Sequence, residues 1–395
     1  MKKLILILTA ALALASCAKQ DAIYKQFVKE GGIIYPAKPI NVVARRGYQR
    51  VVLKWDAPMD PSLRTVKVFW DGTSHSQEFN YADYPGGSIE TVVDNLEDRS
   101  YTFSIVNYDG DGNKSLAAEI TTSPFGESWL VSHAERTVKF VRTDGNDAVV
   151  TMNKPTDEVA LTKFRYVNAQ GETVEAGEVK ANENEVRLIG AVKNKYIEYQ
   201  SAFCSAEGID TVWTGNWFRS DDPVAFRVDD FKATVTSSAY QYRDNLTPDK
   251  IIDGIYDDGD YRWFSSNASQ YRGVWPKILV IDTKEGGDNV MTFNKFVFYQ
   301  DPDPEGQTRR YIRSVNIYVS NTKFNPDDAN YAKNYGDPVI SVSLNQVDAV
   351  QEFVPADKPT GRYVAIVFRN SYNSSGFVDL WEFEAFGFAA KLAEQ

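Results

Sequence analysis

The pattern of apolar and polar positions predicts β-strands along almost the whole chain. Short apolar runs, many of them alternating with polar residues, recur between turn signals, and no long stretch follows a helical period of 3.6 residues. In Val315–Val319, for example, apolar residues occupy every second position, as expected for a strand with one buried face. The sequence therefore predicts an all-β protein.

Residues 38–124 form the first predicted domain. Strand-like runs include Val66–Trp70 and Tyr101–Ile105, and Asp109–Asn113 has the composition of a tight turn. The strand that leads to Trp55, together with the later stretch NLEDRSYTFSIVNYDGDGNKS, resembles a fibronectin type III sandwich. That resemblance implies that Trp55 and Tyr101 are core residues. The stretches YKQFVKEGGIIYPAKP and KVFWDG are also similar to uncharacterised lipoproteins from glycan-harvesting bacteria.

Residues 125–222 predict a second β-sandwich of similar length. Turn signals such as Asp144-Gly145-Asn146 and Gln170-Gly171 separate its runs, and this spacing is typical of short antiparallel strands. The predicted strands are Thr137–Val141, Ala148–Met152, Lys163–Val167, Glu185–Ile189 and Tyr196–Phe203.

Residues 229–388 predict a third β-domain, an eight-stranded sandwich or barrel. Its predicted strands are Ile278–Ile281, Phe293–Tyr299, Val315–Val319, Val339–Val342, Tyr363–Phe368 and Leu380–Phe386. Three ordered stretches resemble discoidin (coagulation factor 5/8 type C, galactose-binding-like) domains: Ile251–Gly254 with Tyr261–Ser265, Trp275–Asp282, and Trp381–Gly387. The resemblance implies a jelly-roll β-barrel, with Trp263 in its core.

The stretch Asp249–Trp263 is a turn-rich acidic loop. Such a loop either supplies oxygen ligands to a hard cation or forms a solvated turn, and both interpretations stay open. The discoidin resemblance implies a structural Ca²⁺ ion near this turn and the last strand, with Asp253, Asp258 and Glu382 as ligands.

The same resemblance implies that ligands bind at the loops of one barrel end. In carbohydrate-binding members, aromatic rings stack on a sugar while planar polar groups bind its hydroxyls. The turn-borne candidates here are Tyr271, Arg272, Trp275, Arg309, Tyr311, Tyr372 and Asn373. Tyr240 and Tyr242 also lie in a predicted turn before the acidic loop. The module contains no histidine, so the galactose preference of other members is not carried over.

The first twenty residues indicate export. Two lysines precede the apolar run Leu4–Leu14, which is too short to span a bilayer and is typical of a secretory signal over residues 1–16. The ending Leu14–Cys17 resembles the lipobox of bacterial lipoproteins, which implies a diacylated Cys17; the other interpretation is an ordinary signal with a chance cysteine. Residues 17–37 are then predicted to form an anchor segment with a short helix.

Charge and composition exclude several function classes. The net charge of −11 disfavours nucleic acid as a partner. The two histidines, His75 and His133, lie outside any recognisable nucleophile elbow, and two cysteines with two histidines offer no zinc-binding spacing. Although the many acidic residues leave a carboxylate pair open, the sequence predicts a protein that is not an enzyme.

The sequence therefore predicts an outer-membrane lipoprotein, facing the cell surface or the periplasm, that binds a polysaccharide or oligosaccharide. Its membrane contact is the N-terminal lipid alone, and its role is accessory glycan capture in polysaccharide utilisation, beside outer-membrane transport partners. This step rests on analogy of fold. The alternative is a structural or adhesive lipoprotein whose C-terminal barrel binds a protein.

Overall fold

The protein is all-β, as the sequence predicts. The computed structural model describes residues 35–206, 208–228, 233–256, 262–266, 268, 270–271, 273–283, 290–300, 312–372 and 376–390. The predicted signal peptide, Cys17 and the short helix lie outside these residues. The described chain forms two compact units: one holds the residues up to Ala134 together with Phe203–Val212, and the other holds Glu135–Ala202 together with the residues from Trp213 onward.

The first unit contains an immunoglobulin/fibronectin III-like sandwich. Its strands are β1 (Ile40–Gly47), β2 (Arg50–Asp56), β3 (Leu63–Trp70), β4 (His75–Asn80), β5 (Ser88–Val93), β6 (Tyr101–Asp109) and β7 (Ala118–Thr122). They form one sheet in the order β1-β2-β5 and another in the order β4-β3-β6-β7. A 3-10 helix (Tyr81–Asp83) and helix α1 (Glu127–Val131) complete the described elements of this unit.

Trp55 and Tyr101 lie in the core of this sandwich, which confirms the prediction. Trp55 is fully buried between the two sheets, where it packs edge-on against Phe79. The Tyr101 hydroxyl accepts a hydrogen bond of 3.0 Å from the Glu97 N–H. The tyrosine thus fills the core with its ring and satisfies a loop backbone group with its hydroxyl.

The second unit begins with another sandwich. Its strands are β8 (Val138–Asp144), β9 (Asp147–Met152), β10 (Val159–Val167), β11 (Thr173–Lys180), β12 (Glu185–Leu188), β13 (Glu198–Phe203), β14 (Val212–Trp213) and β15 (Phe218–Arg219). One sheet has the order β12-β9-β8, and the other has the order β11-β10-β13-β14 with β15 also paired to β13. Phe164, Ile197 and Val150 are fully buried between them.

The C-terminal part of this unit is a jelly-roll of two facing five-stranded sheets. Its strands are β16 (Phe226–Arg227), β17 (Thr234–Ser237), β18 (Trp263–Phe264), β19 (Lys277–Asp282), β20 (Met291–Tyr299), β21 (Ile312–Ser320), β22 (Ile340–Ser343), β23 (Val350–Phe353), β24 (Thr360–Gly361), β25 (Tyr363–Ser371), β26 (Asp379–Leu380) and β27 (Glu382–Ala389). The orders are β16-β27-β20-β23, with β24 on β20, and β17-β19-β25-β21-β22; β18 pairs with β26. A 3-10 helix (Pro248–Ile252) and helix α2 (Tyr331–Asn334) lie between strands.

The barrel core is rich in aromatic residues. Trp263 is fully buried, as predicted, and its ring packs against Phe368 at 5.8 Å between centroids. Ile251 and Ile252, the apolar pair before the acidic turn, are buried in the same core. The expectation of one buried face in Val315–Val319 is wrong, because the intervening positions Asn316 and Tyr318 are buried as well. Among the described residues, no helix is long and apolar enough to cross a bilayer.

Candidate functional site

Several predicted site residues meet at one end of the barrel. In the sheet β17-β19-β25-β21-β22, Lys277 at the start of β19 pairs with Phe368 of β25. Ile312 at the start of β21 pairs with Ser371, at the end of β25. The turns that carry Tyr271 and Trp275 therefore lie at the same end of the strands as Tyr372. We call this end of the strands the loop end of the barrel.

A stacked pair of tyrosines is the most prominent feature of the loop end. The Tyr240 and Tyr271 rings lie 4.4 Å apart between centroids, with an interplanar angle of 28°. Tyr240 is 64% exposed, so much of its ring is presented to solvent. The backbone of both residues is hydrogen-bonded. The Tyr240 carbonyl accepts from the Ser266 N–H at 2.6 Å, and the Tyr271 N–H donates to the Ala268 carbonyl at 2.9 Å. The turns that carry the two rings are therefore fixed by backbone hydrogen bonds.

A small cleft of about 110 Å³ lies beside this pair. Ser238, Ser266 and Lys277 are among its polar lining residues. Lys277 is buried, and its ammonium group donates to the Val274 carbonyl at 2.9 Å and to the Tyr271 carbonyl at 3.5 Å. Burial lowers the pKa of Lys277, because the charged form loses water that two carbonyl groups only partly replace. This lysine ties the turn that carries Tyr271 to the first residue of β19.

Trp275 and Tyr372 are placed differently from the stacked pair. Trp275 is partly buried against the barrel core, and the Lys277 ammonium lies 5.0 Å from its ring centroid. Tyr372 is 38% exposed, and its hydroxyl donates to the Leu344 carbonyl at 3.0 Å. The structure therefore places Trp275 as a support of the loop end, while Tyr372 presents part of its ring to solvent.

Two glycines let neighbouring turns approach at the loop end. A Cβ atom on Gly376 would lie 2.6 Å from both the Cα and the N of Gly273, a distance that no side chain tolerates. Gly376 and Gly273 also have positive φ angles, +67° and +70°. The turn before β19 and the segment after β25 are thus packed backbone to backbone. Four further candidates, Arg272, Arg309, Tyr311 and Asn373, lie outside the described residues.

Two of the predicted calcium ligands, Asp253 and Glu382, are linked through the turn at Gly254. The N–H of Gly254, next to Asp253, donates to Glu382 Oε1 at 3.1 Å, and Glu382 is buried. Asp253 Oδ1 accepts from the Ile255 N–H at 3.0 Å, and Oδ2 lies 3.6 Å from the Lys250 ammonium. Two carboxylates thus lie near one tight turn, a donor set suited to a hard cation. Within the described ranges no group of three or more potential metal ligands occurs, and Asp258 lies outside them.

Some site residues carry little signal in the sequence. Lys277 resembles any strand-opening lysine, and its burial depends on turns that close over it from distant parts of the chain. Glu384 follows Glu382 by two positions, and both carboxylates are buried although acidic residues usually face water. The available signal was the unusual placement of two acids on one face of an otherwise apolar strand.

One family model matches the chain. Residues 17–212 match the model of a family described as a domain of unknown function (DUF4998). No curated protein matches the chain.

Among solved structures, the C-terminal domain of a chitobiase from Bacteroides fragilis is 12% identical; the match covers 42% of this chain and 99% of that one, with a TM-score of 0.32. A family 32 carbohydrate-binding module from C. perfringens NanJ, solved with galactose, is 10% identical; the match covers 41% and 99%, with a TM-score of 0.31. A SusE-like protein is 9% identical; the match covers 88% of this chain and 96% of that one, with a TM-score of 0.24.

Proposed function

We propose that this protein is an outer-membrane lipoprotein that binds carbohydrate without cleaving it. The barrel is the binding module, and its loop end is the site. The diacylated Cys17 holds the chain to the membrane, at the cell surface or the periplasmic face. The biological role is capture of a polysaccharide or oligosaccharide, in polysaccharide utilisation, for outer-membrane transport partners.

The observation that carries this proposal is the stacked Tyr240–Tyr271 pair. A sugar ring has an apolar face of C–H groups, and an exposed phenol ring covers that face with flat apolar area. The serine hydroxyls of the adjacent cleft both donate and accept hydrogen bonds, as sugar hydroxyls do. Aromatic rings, serine hydroxyls and the buried Lys277 ammonium are groups suited to binding and orienting a sugar. This combination supports binding rather than cleavage.

The size of the cleft sets the mode of binding. At about 110 Å³ the cleft is smaller than the roughly 300 Å³ at which enclosing ligand pockets begin. A sugar would therefore rest over the exposed Tyr240 ring with only an edge in the cleft. Such a shallow contact gives weak binding per site, and affinity for a polymer would come from repeated engagement along the chain.

A Ca²⁺ ion is part of the proposal. Asp253 and Glu382 would hold it, with Asp258 as a further ligand. The ion would fix the acidic turn against the last strand, which supports the fold of the barrel and leaves the loop end to bind the sugar.

The direct test is a screen of the mature chain on a broad glycan array and in polysaccharide affinity gels. We expect retention by at least one polysaccharide. Silence on the array and unchanged mobility in every gel would contradict carbohydrate binding.

One observation favours the alternative of a protein-binding lipoprotein. Val347, Val350 and Val354 are exposed in and beside β23, which lies at the edge of its sheet. An exposed apolar edge strand is a typical site for pairing with another chain. This alternative predicts that Val350→Lys abolishes partner binding while glycan arrays stay silent.

A further inference from the structure

A larger groove lies where the second sandwich meets the barrel, inside one compact unit. Its volume is about 660 Å³, within the range of about 300–1,000 Å³ that is typical of ligand pockets. Strands β8 and β9 supply one wall, and β16, β20 and β27 supply the other. This groove is distinct from the loop end, and none of its lining residues belongs to the predicted site.

The two walls are joined by a continuous set of backbone hydrogen bonds. The Thr143 N–H of β8 donates to the Ala225 carbonyl at 2.7 Å, and the Ala225 N–H donates to the Val141 carbonyl at 3.0 Å. The next residue, Phe226, pairs with Gly387 of β27. One short segment thus links a sandwich strand to a barrel strand, so the groove is formed before a ligand binds.

A buried carboxylate organises one side of the groove. Glu384 is only 7% exposed, and it accepts hydrogen bonds from the Tyr256 hydroxyl at 2.6 Å and the Tyr299 hydroxyl at 2.8 Å. The Arg227 guanidinium donates to the same carboxylate at 2.9 Å. Burial, with the neighbouring Glu384 charge, raises the pKa of both tyrosines. Both are therefore neutral phenols with fixed rings, 4.7 Å apart between centroids.

The groove is lined by charged side chains whose net charge is zero. Its lining carries four basic and four acidic side chains, and pairs such as Lys295–Glu352, at 2.7 Å, neutralise each other. A balanced lining of donors and acceptors gives no net attraction for a polyanion such as a nucleic acid. It matches a neutral ligand whose hydroxyls donate and accept in turn.

Aromatic rings supply the apolar part of the lining. Tyr256 is 41% exposed, and Phe140 packs edge-on against Phe386 at 5.4 Å between centroids. Rings beside paired charges are the combination that binds the apolar face and the hydroxyl edge of a sugar together.

We infer that this groove is a second carbohydrate site, separate from the loop end and more enclosing. The inference rests on the proposed function for the class of ligand, and on the groove itself for the site. Tyr256 stacks on the sugar, and the charged side chains of both walls bind its hydroxyls. A chain with two sites of this kind holds a polysaccharide at two points, which raises its overall affinity.

The test separates the two sites with variants of the mature chain. Tyr240→Ala/Tyr271→Ala removes the loop-end rings, and Thr151→Trp fills the groove from β9, where a tryptophan suits a strand. Thr173→Trp, on the exposed strand β11, is the matched control. Galactose, glucose, mannose and N-acetylglucosamine are titrated singly by calorimetry, and melting temperatures confirm that each variant folds.

We expect at least one sugar to bind the Tyr240→Ala/Tyr271→Ala variant. Adding Thr151→Trp should weaken that binding at least fivefold, while Thr173→Trp leaves it unchanged. Tyr256→Ala should weaken it without filling the groove. The groove site would be overturned if the loop-end variant lost all binding. It would also be overturned if Thr151→Trp left the residual binding unchanged. Either result would leave the proposed function standing. Silence of the unmodified chain towards all four sugars would overturn the groove site, while the proposed function is decided by the glycan array and the polysaccharide gels.

Discussion

At the scale of single residues, the Lys277 ammonium group binds the backbone of the turn that carries Tyr271. That group is buried and holds the two carbonyls of the turn before β19. Burial lowers its pKa below the ordinary value of about 10.4, so the charged form is disfavoured in the folded chain. Its unfavourable contribution to stability is complete at pH values below the lowered pKa, and it disappears as pH rises from that pKa towards the ordinary one.

The Lys277→Met variant should reveal this pH dependence. Methionine fills a similar volume without a charge, so the stability of the natural chain relative to the variant should rise as the pH increases towards about 10. Urea unfolding at several pH values, followed by tryptophan fluorescence, measures the difference. A difference that stays constant or falls with pH would rule out this role for Lys277.

Residue roles at the loop end were only partly predictable. The sequence placed Tyr271, Trp275 and Tyr372 in turns between strands, and the structure brings those turns to one edge of a sheet. It could not separate Trp275, which packs on the core, from the exposed Tyr240. Whether a turn-borne ring faces solvent depends on contacts between distant segments, which local patterns do not encode.

At the scale of elements, Arg136 organises one end of the second sandwich. This buried guanidinium donates to the carbonyls of Asn153 at 2.7 Å, Lys180 at 3.0 Å and Glu183 at 2.7 Å. It therefore ties the ends of three strands with one side chain. Burial lowers the pKa of Arg136, yet the group remains a cation at any ordinary pH.

Arg136→Met should destabilise the second unit by about 3 kcal/mol, because three carbonyls lose their donor in a buried site. Thermal unfolding should show a lower transition for this unit. Arg165→Met is a suitable control, since it removes a half-exposed arginine from the same sandwich and should cost much less. Equal losses in the two variants would contradict the structural role of Arg136.

The acidic turn is the element on which the calcium proposal can be tested. If Asp253 and Glu382 hold Ca²⁺, the ion at a hundred times its Kd stabilises the barrel by about 2.7 kcal/mol, and a chelator removes that gain. Differential scanning calorimetry with Ca²⁺ and then with excess chelator measures it. Asp253→Asn should lose most of the Ca²⁺-dependent change in melting temperature. If neither Ca²⁺ nor the chelator changes the melting temperature of the natural chain, the solvated turn is favoured.

Long elements were the most predictable part of the fold. The predicted runs Phe293–Tyr299 and Tyr363–Phe368 fall inside β20 and β25. β11 was not predicted, because Thr173–Lys180 contains a glycine and several charged residues. Gly177 in that strand has a φ of +86°, a backbone conformation that favours glycine and that pattern analysis does not see.

At the scale of the whole molecule, the proposal assigns anchoring to the N-terminus and recognition to the C-terminal barrel. Cys17→Ala should move the protein from the membrane fraction to the soluble fraction, because acylation supplies the only proposed membrane contact. Cys204→Ala is the matched control and should leave the protein in the membrane fraction. Immunoblots of separated fractions provide the measurement, and a Cys17→Ala protein that stays with membranes would exclude a lipid anchor at this residue.

The central claim is that the loop end of the barrel binds carbohydrate through Tyr240. Tyr240 and Tyr35 are equally exposed, at 64%, so Tyr35→Ala is a matched control in the first unit. The measurement is retention of both variants in an affinity gel that contains a polysaccharide bound by the natural chain. Loss of stacking area should weaken Tyr240→Ala by about 1.5 kcal/mol, roughly tenfold, with no change for Tyr35→Ala. Equal retention of Tyr240→Ala and the natural chain would contradict the claim.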